Sequence, residues 1–149
     1  MYLQNGITGF TNSAQRMDKS QFKQLCFNAA RASQASLEQF KEPGYPFNFY
    51  HAKIKTRTNQ FHLLLNEHYP YLAFASAAEY GNIQFIDPPE LADAFLPFYR
   101  ILSKEELNER VIWRKNLLEN ENELNEAELR ELSFWKPERV GDIIFNYWD

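Results

Sequence analysis

Phe47, Phe49, His51, Lys53, Lys55 and Arg57 fall at every second position, which puts aromatic and cationic side chains on one side of an extended segment. On an open sheet face that alternation can stack flat groups and neutralise anions, the combination used for single-stranded nucleic acid and other anionic ligands. Phe49, His51, Lys53, Lys55, Arg57 and, from the next segment, His62 form the candidate basic-aromatic binding face. The competing structural role is a solvated outer face whose cations pair with acids of the C-terminal helices. A second constellation is acidic: Glu119, Glu121 and Glu123 alternate with Asn120 and Asn122, and Glu126, Glu128 and Glu131 follow. Such a surface steers a basic partner protein, in the manner of small inhibitor or immunity proteins. Its structural alternative is a solubilising connection between helices.

Other chemistries lack a full set of residues. There is no Gly-x-Ser-x-Gly elbow, no Gly-rich phosphate loop, no His-Glu-x-x-His and no calcium loop. His51 or His62 with a neighbouring Tyr or carboxylate is the best-placed proton-transfer group. Cys26, the one cysteine, sits at an apolar position of a predicted helix and reads as a packed thiol. A hairpin with Thr58-Asn59 as its loop sets His62 opposite Lys55, about 13 Å from His51 at ~3.3 Å per residue. Two ligands must each approach one zinc ion to ~2.1 Å, so no shared metal site is expected, and no cofactor.

Charge is divided along the chain. Residues 1–60 carry eight basic and three acidic side chains, and residues 61–149 carry eight and seventeen. A net charge of −4 and a pI near 5.4 argue against a dedicated nucleic-acid binder. The expected function is a non-catalytic, cytosolic protein-binding module with polarised charge. Anion or single-stranded nucleic-acid binding through strand 47–57 is the second reading, and an enzyme with an unrecognised site the third. The partner expected is a protein, with nucleic acid less favoured. A homodimer through the aromatic C-terminal helix is the alternative partner. Membrane insertion is not expected: no apolar stretch approaches ~18 residues, and Met1–Gly6 does not open as a signal peptide does.

The elements that must position these residues follow from periodicity. Asp18 and Gln21 make a capping box ahead of Phe22, Cys26, Ala29, Ser33, Leu37 and Phe40, predicting a helix over about 19–40, stopped by the turn at 42–46. Segments 47–57 and 60–66 read as a hairpin. Thr56/Phe61, Ile54/Leu63 and Ala52/Leu65 share one face, and Lys55/His62, Lys53/Leu64 and His51/Asn66 the other. Because Thr-Asn is a poor primed turn, a longer loop is the alternative. Tyr71–Ser76 and Ile83–Ile86 add two strands around a turn at 77–82. Asp87-Pro88-Pro89-Glu90 starts a short helix over about 88–95. Ser103–Glu106 caps a helix reaching about Leu118, Asn125–Glu128 caps another, and Pro137 opens a last helix that runs to the final residue. The expectation is a single α+β domain over 1–149: a four-stranded antiparallel meander, one N-terminal helix and a C-terminal cluster of about four helices. Whether those helices cover the Lys53, Lys55 and Arg57 face decides whether the charge division is architecture or site.

Overall fold

The computed structural model describes residues 1–10, 15–44, 46–79 and 81–148. Tyr45 and Tyr80, each in a predicted turn, and Asp149 of the last segment lie outside them. Asp18 caps α1 (Lys19–Ala32) by accepting from Gln21 N at 3.0 Å, and Phe22, Cys26 and Ala29 are its buried edge. The helix ends well before residue 40. Ser33 N–H bonds back to the Ala29 and Ala30 carbonyls, Gln34 turns to a φ of 54°, and the chain enters β1 (Ser36–Lys41). Leu37 and Phe40, three apart, fit a helix stripe, yet both face α1. A bulge between Leu37 and Gln39 absorbs the odd residue.

The strands β1, β2 (Phe49–Lys55), β3 (Gln60–Asn66), β4 (Tyr71–Glu79) and β5 (Asn82–Ile86) pair in chain order, all antiparallel. A two-residue strand β6 (Arg100–Ile101) runs parallel to the start of β4. This is the expected α+β architecture, with β1 as a fifth meander strand.

Hydrophobic burial divides into two layers. On one face Tyr50, Ala52, Ile54, Leu63, Leu65, Leu72 and Phe74 meet α1, and also Ala92 and Phe95 of a 3₁₀ helix (Glu90–Phe95). Asp87 does not cap that helix; its carboxylate accepts from Lys104 N at 3.0 Å instead. On the other face Phe49, Leu64, Tyr71, Ala73 and Phe85 are covered by the N-terminal loop and the C-terminal helices.

The C-terminal layer is less helical than its spacing suggests. α2 (Lys104–Leu107) has the Ser103/Glu106 capping box but lasts one turn. A small hairpin follows, β7 (Trp113–Arg114) and β8 (Leu117–Leu118), around Lys115-Asn116 at φ 53° and 66°. Two successive positive φ values match the twist of a two-residue hairpin. α3 (Glu126–Trp135) opens with the Asn125/Glu128 box, and α4 (Val140–Ile144) stops at Phe145, whose backbone is extended. The predicted helix to the last residue is therefore replaced by an extended tail.

Three buried asparagines explain that tail. Asn48 Nδ2 donates to Ile144 O (3.0 Å) and Ile7 O (3.2 Å), and Asn66 Nδ2 to the same two carbonyls at 2.8 and 3.0 Å. Asn146 N donates to Asn48 Oδ1 (2.8 Å), while Asn146 Nδ2 reaches Thr8 O (3.0 Å). Strand ends, N-terminal loop and C-terminal tail are thus joined through groups that would otherwise be buried without partners. Glu128 extends the network: it is fully buried, and its carboxylate accepts from Gly6 N (2.8 Å), Thr8 N (3.0 Å) and Thr8 Oγ1.

Candidate functional site

The position of the histidines depends on one loop. Thr56 Oγ1 accepts from Asn59 N at 2.9 Å and Thr56 N donates to Asn59 O at 2.8 Å, so residues 56–59 form the loop and Lys55 faces Gln60. This is the longer-loop alternative, shifted by two residues from the tighter register. A two-residue shift preserves which face each side chain takes. It changes who is opposite whom: His62 faces Lys53, not Lys55, and His51 faces Leu64. The two histidines become diagonal neighbours, with His51 Nε2 and His62 Nδ1 2.8 Å apart. The separation of about 13 Å, and the argument against a shared site built on it, do not hold.

Around this pair the sheet face is concave. One row across the strands reads Gln39, Lys53, His62, Ala75, and the next reads Lys41, His51, Leu64, Ala73. Ala75, Ala77 and Ala78 keep the β4 side low. The result is a groove of about 520 Å³ lined by residues that include Gln39, Lys41, Lys53, Gln60, His51, His62, Ser76 and Glu79. Phe47, Phe49 and Tyr147 wall its other end. Tyr147 packs edge-on against Phe47 (centroids 5.0 Å) and Phe49 (5.5 Å), and Phe145 packs against Phe49 at 6.0 Å.

The C-terminal layer thus covers the Phe49 end of the predicted face and leaves the rest open. Phe49 is buried and unavailable for stacking, whereas Phe47 remains exposed. His51 and Lys53 are half-buried in the groove, His62 lies buried in its floor, and Lys55 and Arg57 are exposed beyond its end. Among the described residues none of Lys41, Lys53, Lys55 or Arg57 forms an ion pair. The expected pairing of these cations with C-terminal acids is absent; the side-chain pairs formed by Arg and Lys are Arg16–Glu67, Lys19–Glu42, Arg100–Glu106, Arg114–Glu119 and Arg139–Asp142.

Burial, then the neighbouring His62, Lys41 and Lys53, hold His51 down to about 4. Burial and Lys53 lower His62, against a smaller opposing pull from Glu79. Both rings are therefore neutral near pH 7, and one nitrogen of the contact donates while the other accepts. A neutral, hydrogen-bonded imidazole pair beside two ammonium groups can offer N–H donors to an anion and can hold one further proton. Lys41, Gln39 and Glu79 were outside the predicted site because β1 reads as helix and residue 79 as turn. The alternation of Gln39 and Lys41 about Phe40 is the signal that places them.

Two of the three acidic candidates, Glu121 and Glu123, flank the Leu3–Asn122 bridge and both act on Tyr2. Glu119 is exposed and pairs with Arg114 at 3.3 Å, Glu121 is exposed while its carbonyl accepts from Leu3 N, and Glu123 lies beside Tyr2, whose phenol it helps push up to about 12. Burial pushes the Cys26 thiol up, in keeping with a packed, unreactive group. Among the described residues no three His, Cys, Asp or Glu side chains gather as a metal site, and no helix is long and apolar enough to cross a membrane. Comparison with protein-family models, with curated proteins and with solved structures found no match.

Proposed function

We propose that this protein is a non-catalytic binding module that engages a partner protein by taking an acidic side chain of that partner into the groove over the open end of the sheet. The observation that carries the reading is the placement of Lys41 and Lys53, without counter-ions, beside the His51–His62 pair in a concavity. Two ammonium groups held on rigid strands attract a carboxylate without first breaking an internal ion pair. Burial of Phe49 favours this over single-stranded nucleic acid, which needs exposed aromatic platforms. The cytosolic setting belongs to the same proposal, and the single thiol, on the buried face of α1, is compatible with it.

Fluorescence anisotropy with a labelled ten-residue peptide alternating Glu and Phe tests the reading. The expected result is binding that weakens with salt and falls about tenfold in the Lys41→Ala/Lys53→Ala variant, while Lys115→Ala/Lys136→Ala leaves it unchanged. Equal affinity in both double variants overturns the proposal.

One observation favours a second contact surface. Ile112, Leu117 and Phe134 are 49, 72 and 74 % exposed beside a groove of about 890 Å³ lined by Val111, Trp113 and Pro137. Apolar side chains that open to water mark association surfaces. In this reading the hairpin and α3 carry the protein contact or a homodimer. Sedimentation velocity of the chain and of Leu117→Ser/Phe134→Ser checks it, a concentration-dependent dimer lost in the variant being the supporting result.

A further inference from the structure

We propose that the groove recognises a carboxylate attached to a flat apolar group, and that the His51–His62 pair takes up one proton as the carboxylate enters. The inference rests on the anion-binding reading above and adds the ligand's chemistry and its coupling to pH. The groove has two ends of different character. Lys41, Lys53, Gln39 and Gln60 supply donors at one, and Phe47 and Tyr147, backed by the buried Phe49, supply aromatic surface at the other. A bare inorganic anion satisfies only the first end. A carboxylate joined to a ring satisfies both.

The geometry of the pair defines the proton step. With 2.8 Å between Nε2 of His51 and Nδ1 of His62, and ring centroids 5.0 Å apart, the two nitrogens point at each other and share one hydrogen. Each neutral ring carries one proton, so one of the outward nitrogens is an acceptor and the other a donor. One added proton turns the outward acceptor into a donor and leaves the bridging hydrogen in place. The singly protonated pair then offers only donors to the groove, which is what a carboxylate requires. A second proton would break the bridge.

The charged groups facing the pair set the direction. Lys41 on β1 and Lys53 on β2 oppose the added proton, Glu79 on β4 favours it, and Glu42 is held by Lys19 at 3.2 Å. Tyr147, from the C-terminal tail, is kept neutral by burial. A carboxylate between the lysines cancels the opposition, so the bound complex accepts a proton that the free protein refuses at the same pH. The same lysines disfavour a divalent cation at this pair.

The test uses ¹⁵N-labelled protein titrated with phenylacetate, with acetate as the ring-free comparison, at pH 7.0 and 5.5. Imidazole ¹⁵N shifts report protonation and tautomer directly. The expected result is at least about fivefold tighter phenylacetate binding at pH 5.5, bounded by tenfold per pH unit for one proton. The shifts of His51 or His62 should move towards the imidazolium value on binding, and acetate should bind more weakly. His51→Gln should weaken phenylacetate binding at pH 5.5 and reduce its pH dependence, and the ¹⁵N readout on the unaltered chain stands if that variant does not fold. Binding without pH dependence or proton uptake overturns this inference and leaves the anion-binding reading intact. Failure of phenylacetate and the acidic peptide alike overturns both. Saturable zinc binding that shifts both imidazoles overturns the anion assignment.

Discussion

Replacing Glu128 with glutamine tests whether this carboxylate anchors the N-terminal loop. Its two oxygens accept from Gly6 N, Thr8 N, Thr8 Oγ1, Asn125 N (3.3 Å) and Asn125 Nδ2 (3.0 Å). Glutamine supplies one oxygen and one NH₂, and the NH₂ cannot accept. If it takes the Oε2 place, Thr8 N loses its acceptor while the Thr8 hydroxyl rotates to accept. If it takes the Oε1 place, Gly6 N and Asn125 N both lose theirs. The first arrangement costs less. One orphaned buried N–H at about 1–3 kcal/mol, together with the weakening of the remaining bonds from charged to neutral, gives about 3 kcal/mol. For a chain of this length that lowers Tm by about 6–12 °C. Urea unfolding followed by circular dichroism and tryptophan fluorescence measures it, with Glu126→Gln, exposed on the same helix, as the matched control expected to change stability by less than about 0.5 kcal/mol. A Glu128→Gln variant within about 0.5 kcal/mol of the parent would refute the reasoning.

Three further outcomes are expected. Gly141→Ala places a Cβ 2.8 Å from Leu107 O and 2.5 Å from the Phe85 ring, so it should destabilise by about 1–2 kcal/mol despite a better helix former; a more stable variant would show that α4 can retreat. Deleting 143–149 removes Ile143, Ile144, Phe145 and Trp148 from the core and Asn146 from its network, and should abolish the cooperative thermal transition; a normal melt and normal solubility count against it. Because His51 is lowered from 6.5 to about 4 on folding, the unfolded chain binds the extra proton first. Its contribution is present above about pH 6.5 and is lost as pH falls towards 4, about 2 kcal/mol after allowing for solvent at a half-buried ring. His51→Gln should flatten that part of the stability profile, and an unchanged profile would reject the assignment.

What could be read from the residues depended on parity and local capping. The faces of β2 and β3 were legible because alternation survives any two-residue shift. The partners across the hairpin were not, since Thr56 closes the loop through its own hydroxyl and no hydrophobic pattern reports that. The His51–His62 contact was lost with the register, although both residue types and their common face were evident. Leu37 and Phe40 mimic a helix because a bulge restores their common side, and Leu107 and Val111 do the same ahead of a hairpin whose turn is the unremarkable pair Lys115-Asn116. The caps at Asp18, Ser103 and Asn125 were legible because each needs only residues within a single turn. The extended tail after Ile144 was not, since it depends on Asn48 and Asn66, far away in the chain.

The asparagine network and the two cores also impose an order in time. Every fully packed member of the α1-side core lies between Phe22 and Tyr99, so that layer can assemble as soon as the meander and the 3₁₀ helix have been synthesised. The opposite layer joins Leu3 and Ile7 to residues as late as Trp148, and the bond from Asn146 to Thr8 O spans 138 positions. A nascent chain therefore presents a half-finished sheet, with Phe49, Leu64 and Ala73 wet and the Asn48 and Asn66 amides still awaiting the carbonyl of Ile144. Loop closure over that distance is entropically slow. That face stays apolar and uncovered until the last residues arrive, and its far end is the part that remains open as the groove in the finished protein.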